Sequence, residues 1–308
     1  MGKIIQFFIV LLFSVVFADA EEITENIISF DSPDTYYAGK ETEINLSLKK
    51  AELVKDGILW NLKYSGRTIA AGEISQAQNN IKIKFPFPKL NQGVIASAVF
   101  SCSDRQGKNL LTKEIHFYPP NPFANNLQFL TEQKISIWNP SSKGNLKEMF
   151  KTLEVSFEEV SDINQASGKI LIAYGIDFEQ FSGIETDIVK LAGKEPVKII
   201  ILPPFSGSFK IKSKDYDRII FARNDIIHEF SKKFDSALWG ATAVPAGSFK
   251  ITHSDEDISI AIENNKNGFS FCQLNIGESK IYICEWDMAL SGKSPTPLYL
   301  LSKLILKQ

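Results

Sequence analysis

The side chains from which active sites are commonly built are scarce in this chain of 308 residues. It contains three histidines, His116, His228 and His253. His228 lies close in sequence to Asp225 and Glu229, which permits a base paired with a carboxylate, but a surface or capping role is the simpler interpretation. His116 falls in a strand-like segment and is interpreted as structural. The polar run 253–257 lacks the spaced oxygen ligands of a calcium loop, so it predicts a solvated turn.

Motifs for a nucleophile, a metal or a cofactor are absent from the sequence. The pattern Gly-x-Ser-x-Gly, which permits a strained nucleophile turn, occurs nowhere, and its nearest approach is Ser206-Gly207-Ser208. No His and Cys spacing predicts zinc, and no glycine-rich loop follows a strand, so we expect neither a metal nor a cofactor. Asp and Glu are numerous, and spacing alone cannot pair them as glycosidase carboxylates. The sequence does not decide whether the protein is an enzyme, although the missing motifs favour a protein without catalytic activity.

The three cysteines are Cys102, Cys272 and Cys284, so an exported form would leave at least one unpaired. Cys272 and Cys284 lie in consecutive strand-like runs. A hairpin centred on Glu278 places them directly opposite each other and allows a possible disulfide, whereas a slip of one residue places them on opposite faces. Buried thiols that act as small apolar residues are the alternative.

The first twenty residues have the pattern of a secretory signal peptide. Lys3 precedes the apolar run 4–17, and Ala18-Asp19-Ala20 offers the small-x-small site of a signal peptidase. The run is shorter than the ~20 residues that span a bilayer, although an N-terminal anchor is the alternative. We predict cleavage after Ala20, a secreted or periplasmic protein and no stable membrane span thereafter.

Composition narrows the classes of partner. The net charge is −2, and no basic run is longer than the pair Lys49-Lys50. Both observations argue against a nucleic-acid partner, because such binding needs clustered Lys and Arg. The hydrophobic share of 44% and the charged share of 23% are those of an ordinary globular protein. The length makes two domains the expectation.

Residues 21–120 read as an all-β domain. Polar and apolar residues alternate in 43–48 and 81–85, and about seven short strands follow one another at a spacing typical of an immunoglobulin-like or fibronectin-like sandwich. Trp60 falls on the third of them, where such domains often bury a tryptophan. The proline-rich run 118–122 then predicts a domain boundary. The expected organisation is a signal peptide at 1–20, a sandwich at 21–120 and a second domain at 121–308.

The second domain alternates strands and helices, which indicates a flavodoxin-like, doubly wound parallel sheet. The pattern ends in a β-rich part from residue 249 and a last helix that opens at Thr296. The predicted strands are 134–138, 155–160, 169–174 and 197–202, with helical spacing at 146–153 and 184–192, and later strands at 249–252, 258–262, 269–274 and 280–286. Gly-Ser-Phe-Lys-Ile occurs at both 207–211 and 247–251, which we interpret as chance or as two similar strand beginnings.

Ligands of doubly wound sheets bind at the carboxyl ends of the parallel strands. Five residues are expected there: Trp138, Asn139, Tyr174, Gly175 and Asp287. An aromatic ring, an amide and a carboxylate together can hold a sugar. The alternative is that Trp138 and Tyr174 only cap the core.

Three segments, 169–203, 227–239 and 277–287, resemble the class I glutamine-amidotransferase-like domain. That domain is found beside β-sandwich and sugar-binding modules in exported bacterial glycoside hydrolases, and a related domain helps β-galactosidases to trimerise. The resemblance covers residues 125–308. It implies an α/β fold and an association with carbohydrate processing.

The sequence departs from that family at the nucleophile. Amidotransferases place a glycine-flanked Cys directly after a strand, whereas here the strand 197–202 runs into Pro203-Pro204-Phe205. The resemblance therefore implies an exported, non-catalytic binding or assembly protein at a bacterial envelope, with a carbohydrate or an envelope protein as partner. Two alternatives stay open: a hydrolase that uses Asp287, His228 or Glu285, and a structural envelope protein that makes protein contacts.

Overall fold

A computed structural model describes most of the chain. The described residues are 27–49, 57–75, 79–142, 144–203, 206–211, 215–223, 226–235, 249–253, 258–262, 270–289 and 294–307. The predicted signal segment, Asp225 and most of the predicted turn 253–257 lie outside them. Within the described residues, no helix is both long and apolar enough to cross a membrane.

The chain divides into two compact units, each made of segments that are not consecutive in sequence. The first unit comprises Met1–Asp31, Glu43–Lys84 and Val99–Lys113. The second comprises Ser32–Thr42, Phe85–Ala98 and Glu114–Gln308. The second unit therefore includes two segments from before the proline-rich run.

The N-terminal part is a β-sandwich, as its alternating pattern predicts. One sheet has the order β1-β3-β6 and the other the order β2-β8-β7-β4-β5. The strands are β1 Ile28–Phe30, β2 Thr35–Tyr37, β3 Glu41–Leu48, β4 Ile58–Tyr64, β5 Arg67–Ile74, β6 Asn80–Pro86, β7 Ala96–Asp104 and β8 Asn109–Tyr118. Every second side chain of β3 and of β6 is buried, which is the expected result of a pleat with one face on a core.

Aromatic rings join the two sheets inside the first unit. The Phe100 ring on β7 lies 6.1 Å from the Phe30 ring on β1 and 6.2 Å from the Trp60 ring, centroid to centroid. Trp60 has room because residue 72 is glycine: a Cβ on Gly72 would lie 2.8 Å from the indole nitrogen. The predicted burial of Trp60 is only partial, since its side chain is half-buried.

The second unit contains a seven-stranded sheet of order β10-β9-β11-β12-β18-β17-β14. Neighbours from β10 to β18 pair in parallel, and β17 and β14 pair antiparallel, so the predicted parallel sheet is confirmed with a mixed end. The strands are β9 Ile135–Trp138, β10 Phe157–Val160, β11 Ile170–Tyr174, β12 Lys198–Leu202, β14 Arg218–Ala222, β17 Phe271–Ile276 and β18 Ser279–Cys284. The α-helices are α1 Leu127–Gln133, α2 Leu146–Thr152, α3 Ile184–Lys194, α4 Ile227–Phe230 and α5 Thr296–Leu306.

Helices cover both faces of this sheet, so it is doubly wound. Leu130 of α1, Phe150 of α2 and Leu301 of α5 belong to the core on one face, whereas Ile188 and Leu191 of α3 belong to the core on the other. The chain leaves β9 through α2 toward β10, and it leaves β11 through α3 toward β12. The topological switch point therefore lies between β9 and β11.

The hairpin of β17 and β18 has a register that differs by one residue from the one centred on Glu278. Its turn has two residues, with Gly277 at a φ of 54° in the first position, so Cys272 lies opposite Ile283 and Cys284 lies opposite Phe271. The two thiols face opposite cores and are free. The possible disulfide between them is therefore not formed.

A small sheet of order β13-β15-β16 contains residues 208–211 of the first copy of the repeated pentapeptide and residues 249–251 of the second. Its strands are β13 Ser208–Ile211, β15 Phe249–His253 and β16 Ile258–Ile262. β13 and β15 pair in parallel, with Phe209 opposite Ile251. The described residues of both copies thus lie at the beginning of a strand.

Candidate functional site

The switch point between β9 and β11 is lined by the residues that directly follow these two strands. Gly175 follows β11 with a φ of 72°, and a Cβ there would lie 2.1 Å from Ser141 Oγ and 3.3 Å from Asn139 Oδ1. Ser141 Oγ in turn donates a hydrogen bond of 3.1 Å to Asn139 Oδ1. The loop after β9 thus lies directly against the end of β11, and the close approach together with the positive φ favours glycine at position 175.

Tyr174 and Asp287 meet at the same edge of the sheet. The Tyr174 hydroxyl donates to Asp287 Oδ2 over 3.3 Å, and the Ala289 amide donates to Asp287 Oδ1 over 3.0 Å. Tyr174 is buried, and the backbone at Gly144, whose φ is 89°, lies against its ring. Asp287 is half-buried, so part of its carboxylate surface stays accessible.

Burial is the main cause of the shifted pKa values of Asp287 and Tyr174. It raises the pKa of Asp287, while the donated hydrogen bonds from Ala289 and Tyr174 lower that pKa to a smaller extent. Burial and the nearby charge of Asp287 raise the pKa of the Tyr174 phenol. Tyr174 therefore remains a hydrogen-bond donor at neutral pH, and Asp287 takes up a proton more readily than an exposed carboxylate.

Trp138 lies at the end of β9 but faces the other side of the sheet. Its ring packs edge-on against Phe181 with centroids 5.5 Å apart, and its indole nitrogen donates to the Ser161 carbonyl over 3.3 Å. Only 3% of Trp138 is exposed. The structure thus brings together Asn139, Tyr174, Gly175 and Asp287 and leaves the Trp138 side chain in the core.

A cleft of about 520 Å³ in the second unit begins at Asn145, the residue after Gly144, and follows α2. Its lining combines apolar side chains with a tyrosine, two amides and two charges: Tyr37, Lys40, Pro120, Asn121, Asn145, Glu148, Met149, Thr152, Leu153 and Leu298. Lys40 Nζ lies 5.2 Å from the centroid of the Tyr37 ring, and burial raises the pKa of Tyr37 to about 12. The sequence does not predict a role for Tyr37 or Lys40 in this cleft, because they precede α2 by about a hundred residues.

The three histidines lie on other elements than the strand ends that form this edge. His116 lies on β8, where its Nδ1 is 3.0 Å from Ser97 Oγ. His228 is exposed on the four-residue helix α4. His253 ends β15. Among the residues that the structure describes, no three His, Cys, Asp or Glu side chains form a group that could hold a metal ion.

The carboxylate Glu285 and the cysteines belong to the interior. Glu285 is 2% exposed, and its amide donates to the Ser270 carbonyl over 2.9 Å. Burial raises the pKa of Cys102 to about 12 and also raises the pKa values of Cys272 and Cys284. At neutral pH these thiols stay protonated, so they are poor nucleophiles.

Comparisons with known proteins find only distant similarity. No family model matches the chain, and no curated protein matches it. Fibronectin(III)-like modules of Clostridium thermocellum CbhA are 6% identical, with a TM-score of 0.22, over 30% of this chain and 94% of theirs. A family 123 glycoside hydrolase from Clostridium perfringens, described for glycolipid glycan hydrolysis, is 12% identical with a TM-score of 0.20 over 48% of this chain. The chain spans only 38% of that hydrolase, and these similarities assign no function.

Proposed function

We propose that this chain is an exported, non-catalytic binding or assembly protein that works with carbohydrate processing at a bacterial envelope. We place its ligand site at the carboxyl edge of the sheet, at the switch point between β9 and β11. The observation that carries the proposal is the position of Asn139, Gly175 and Asp287 at the edge where doubly wound sheets bind their ligands.

The chemistry of the switch-point edge suits a polyhydroxylated ligand. Asn139 offers an amide that both donates and accepts, and Asp287 offers a half-buried carboxylate oxygen that accepts from hydroxyl groups. The hydrogen bond from the Tyr174 hydroxyl orients the Asp287 carboxylate before a ligand binds. The neighbouring cleft along α2 gives a longer ligand a second contact surface with one tyrosine and two amides.

Export rests on the segment 1–20. A lysine, an apolar run and Ala18-Asp19-Ala20 are the parts of a cleavable signal. We expect N-terminal sequencing of the exported protein to begin at Glu21. A protein that keeps residues 1–20 and fractionates with membranes would instead identify an anchored form.

Binding can be measured as a thermal shift of the full chain, purified after export, against a panel of oligosaccharides and polysaccharides. We expect a ligand that raises the melting temperature of the wild type and of Glu132→Gln, an exposed carboxylate of α1, but not of Asp287→Asn or Asn139→Ala. A shift lost only in Lys40→Ala would place the ligand in the α2 cleft and overturn the switch-point edge as the site. If no saccharide shifts the wild type, direct carbohydrate binding is wrong and protein assembly becomes the function to test.

A hydrolase is the second candidate, and the raised pKa of Asp287 is the observation in its favour. A carboxyl group that holds its proton can act as a general acid. The same panel, assayed for released reducing ends, separates the two functions. Turnover that disappears in Asp287→Asn and persists in Glu132→Gln would replace the binding proposal with a catalytic one.

A further inference from the structure

The amino ends of the parallel strands carry lysines that are far apart in sequence. Lys198 on β12 lies opposite Lys280 on β18 in the parallel register. Lys198 Nζ donates to the carbonyl oxygen of Ile305 over 2.7 Å and also to that of Lys307. The end of α5 is thereby fixed beside the strand starts, and it brings Lys303 and Lys307 with it. Folding thus creates a basic cluster although the sequence has no long basic run.

Positive charge accumulates in this cluster. Burial, and to a smaller extent the charges of Lys280 and Lys307, together lower the pKa of Lys198 to about 8. Lys198 satisfies carbonyl groups at the end of α5, which is a structural task. Lys303 and Lys307 are exposed, so their ammonium groups are accessible to a ligand.

A second cleft of the same unit, about 440 Å³ in volume, opens at these two lysines. Its apolar walls include Ile95, Phe230 and Leu306, and Lys307 Nζ lies 5.3 Å from the centroid of the Phe230 ring. The rest of the lining is Gly93, Pro122, Asn126, Glu229, Tyr299, Ser302 and Lys303. Glu229 supplies one negative charge against the two lysines, so the mouth of the cleft is net positive.

We propose that this cleft binds a small amphipathic anion. The aliphatic or aromatic body of the ligand lies between Ile95, Phe230 and Leu306, and its anionic head pairs with Lys303 and Lys307. The volume is within the range of small-molecule sites, which are mostly apolar with a few polar groups that fix orientation. This inference does not rest on the proposed saccharide site, since it uses the opposite edge of the sheet.

Isothermal titration of the full chain at low ionic strength tests the proposal with three probes of matched length. Octanoate and octyl phosphate carry the anion on two different head groups, and octanamide is the neutral match. We expect at least one anionic probe to bind about tenfold more tightly than octanamide, or more. Equal affinity for all three would overturn the proposal, because the cleft would then select only apolar surface. The two anionic arms distinguish a carboxylate ligand from a phosphate ligand.

The double variant Lys303→Gln/Lys307→Gln tests the place of binding. We expect it to weaken the anionic probe about tenfold and to leave octanamide unchanged, while Lys63→Gln, an exposed lysine of the first unit, changes neither. Unchanged affinity in the double variant would overturn the site. If the double variant does not fold, nuclear Overhauser contacts between the octyl chain and the Phe230 ring in the wild type decide the matter, and contacts to another region would contradict the proposal.

Discussion

The two ends of the parallel sheet differ in the charges that they collect. The carboxyl end holds Asp287 with amide and hydroxyl groups, whereas the amino end holds Lys198, Lys280 and Lys307. Helix direction gives a physical reason, because a helix that follows a parallel strand begins at the carboxyl end and terminates at the amino end. The positive end of its macrodipole favours acidic residues and the negative end favours lysines. Among the helices that the structure describes, α3 shows the same sorting, with Glu185 and Asp187 in its first turn and Lys194 in its last.

The largest expected effect on stability comes from replacing a glycine with alanine at each end of the sheet. A Cβ on Gly168, just before β11 at the amino end, would lie 1.8 Å from the backbone oxygen of Lys134. A Cβ on Gly175, at the carboxyl end, would meet the Ser141 hydroxyl, which can rotate away, although its φ of 72° adds strain. We expect Gly168→Ala to lower the free energy of unfolding by about 3 kcal/mol and Gly175→Ala by about 1–2 kcal/mol in urea titrations.

Gly193→Ala is the control for both variants, since its added Cβ meets nothing within 4 Å and the position is helical. It should leave stability unchanged or raise it slightly. A Gly168→Ala protein as stable as the wild type would contradict the close approach of residue 168 to the start of β9.

The next largest effect is expected at the carboxyl end. Tyr174→Phe removes the hydroxyl that donates to Asp287 Oδ2 and should cost about 1 kcal/mol of unfolding free energy. Because that hydrogen bond lowers the pKa of Asp287, its loss should raise the pKa further. A carboxyl titration followed by carbon NMR measures the pKa directly. An unchanged Asp287 titration would show that the two side chains do not interact in solution.

Local patterns predicted most of the secondary structure of both ends. The continuous apolar runs of β11 and β12 predict strands that are buried on both faces, and the structure confirms this. The spacing of Ile184, Ile188 and Leu191 predicts a helix with one buried face, which is α3. Strand β14 was missed, since Arg218–Ala222 is short and lies between polar residues. Asn139, Tyr174, Gly175 and Asp287 could be placed together because carboxyl ends of parallel strands share an edge.

Features that depend on register or on long-range packing could not be predicted. The face of Trp138 and the pairing of Cys272 and Cys284 each depend on a shift of one residue, which inverts the side chain to the other face of the sheet. The basic cluster joins Lys198 to Lys280 and Lys307 through strand order and a helix end, so no sequence window contains it. The α2 cleft similarly needs Tyr37 beside Met149.

A smaller effect is expected from pH at the amino end. The pKa of Lys198 is about 8 in the folded protein, below the value of 10.5 for an unperturbed lysine. Between these values the unfolded chain binds a proton that the folded protein has released, so stability due to Lys198 should rise as the pH increases from about 8 to about 10. Urea midpoints at pH 7 to 10 should therefore rise more in the wild type than in Lys198→Met. Lys63→Met should keep the wild-type dependence, and identical curves for all three proteins would contradict the burial of Lys198.

The last prediction involves no change in stability. It counts the free thiols of the protein and thereby tests the register of the β17–β18 hairpin. Strand β18 pairs with β12, which places Lys280 beside Lys198, and it also pairs with β17, which places Cys272 opposite Ile283. All three cysteines should then be alkylated by iodoacetamide in denaturant without a reductant, and hardly at all in the native protein, because burial keeps them protonated and inaccessible. Intact mass gives the count. A single alkylated thiol in unfolded protein would mean that two cysteines are bonded. If peptide mapping identified them as Cys272 and Cys284, the β17–β18 register would have to shift by one residue. If β18 rather than β17 makes that shift, Lys280 moves to the other face of the sheet, away from Lys198, and the amino end loses one of its clustered positive charges.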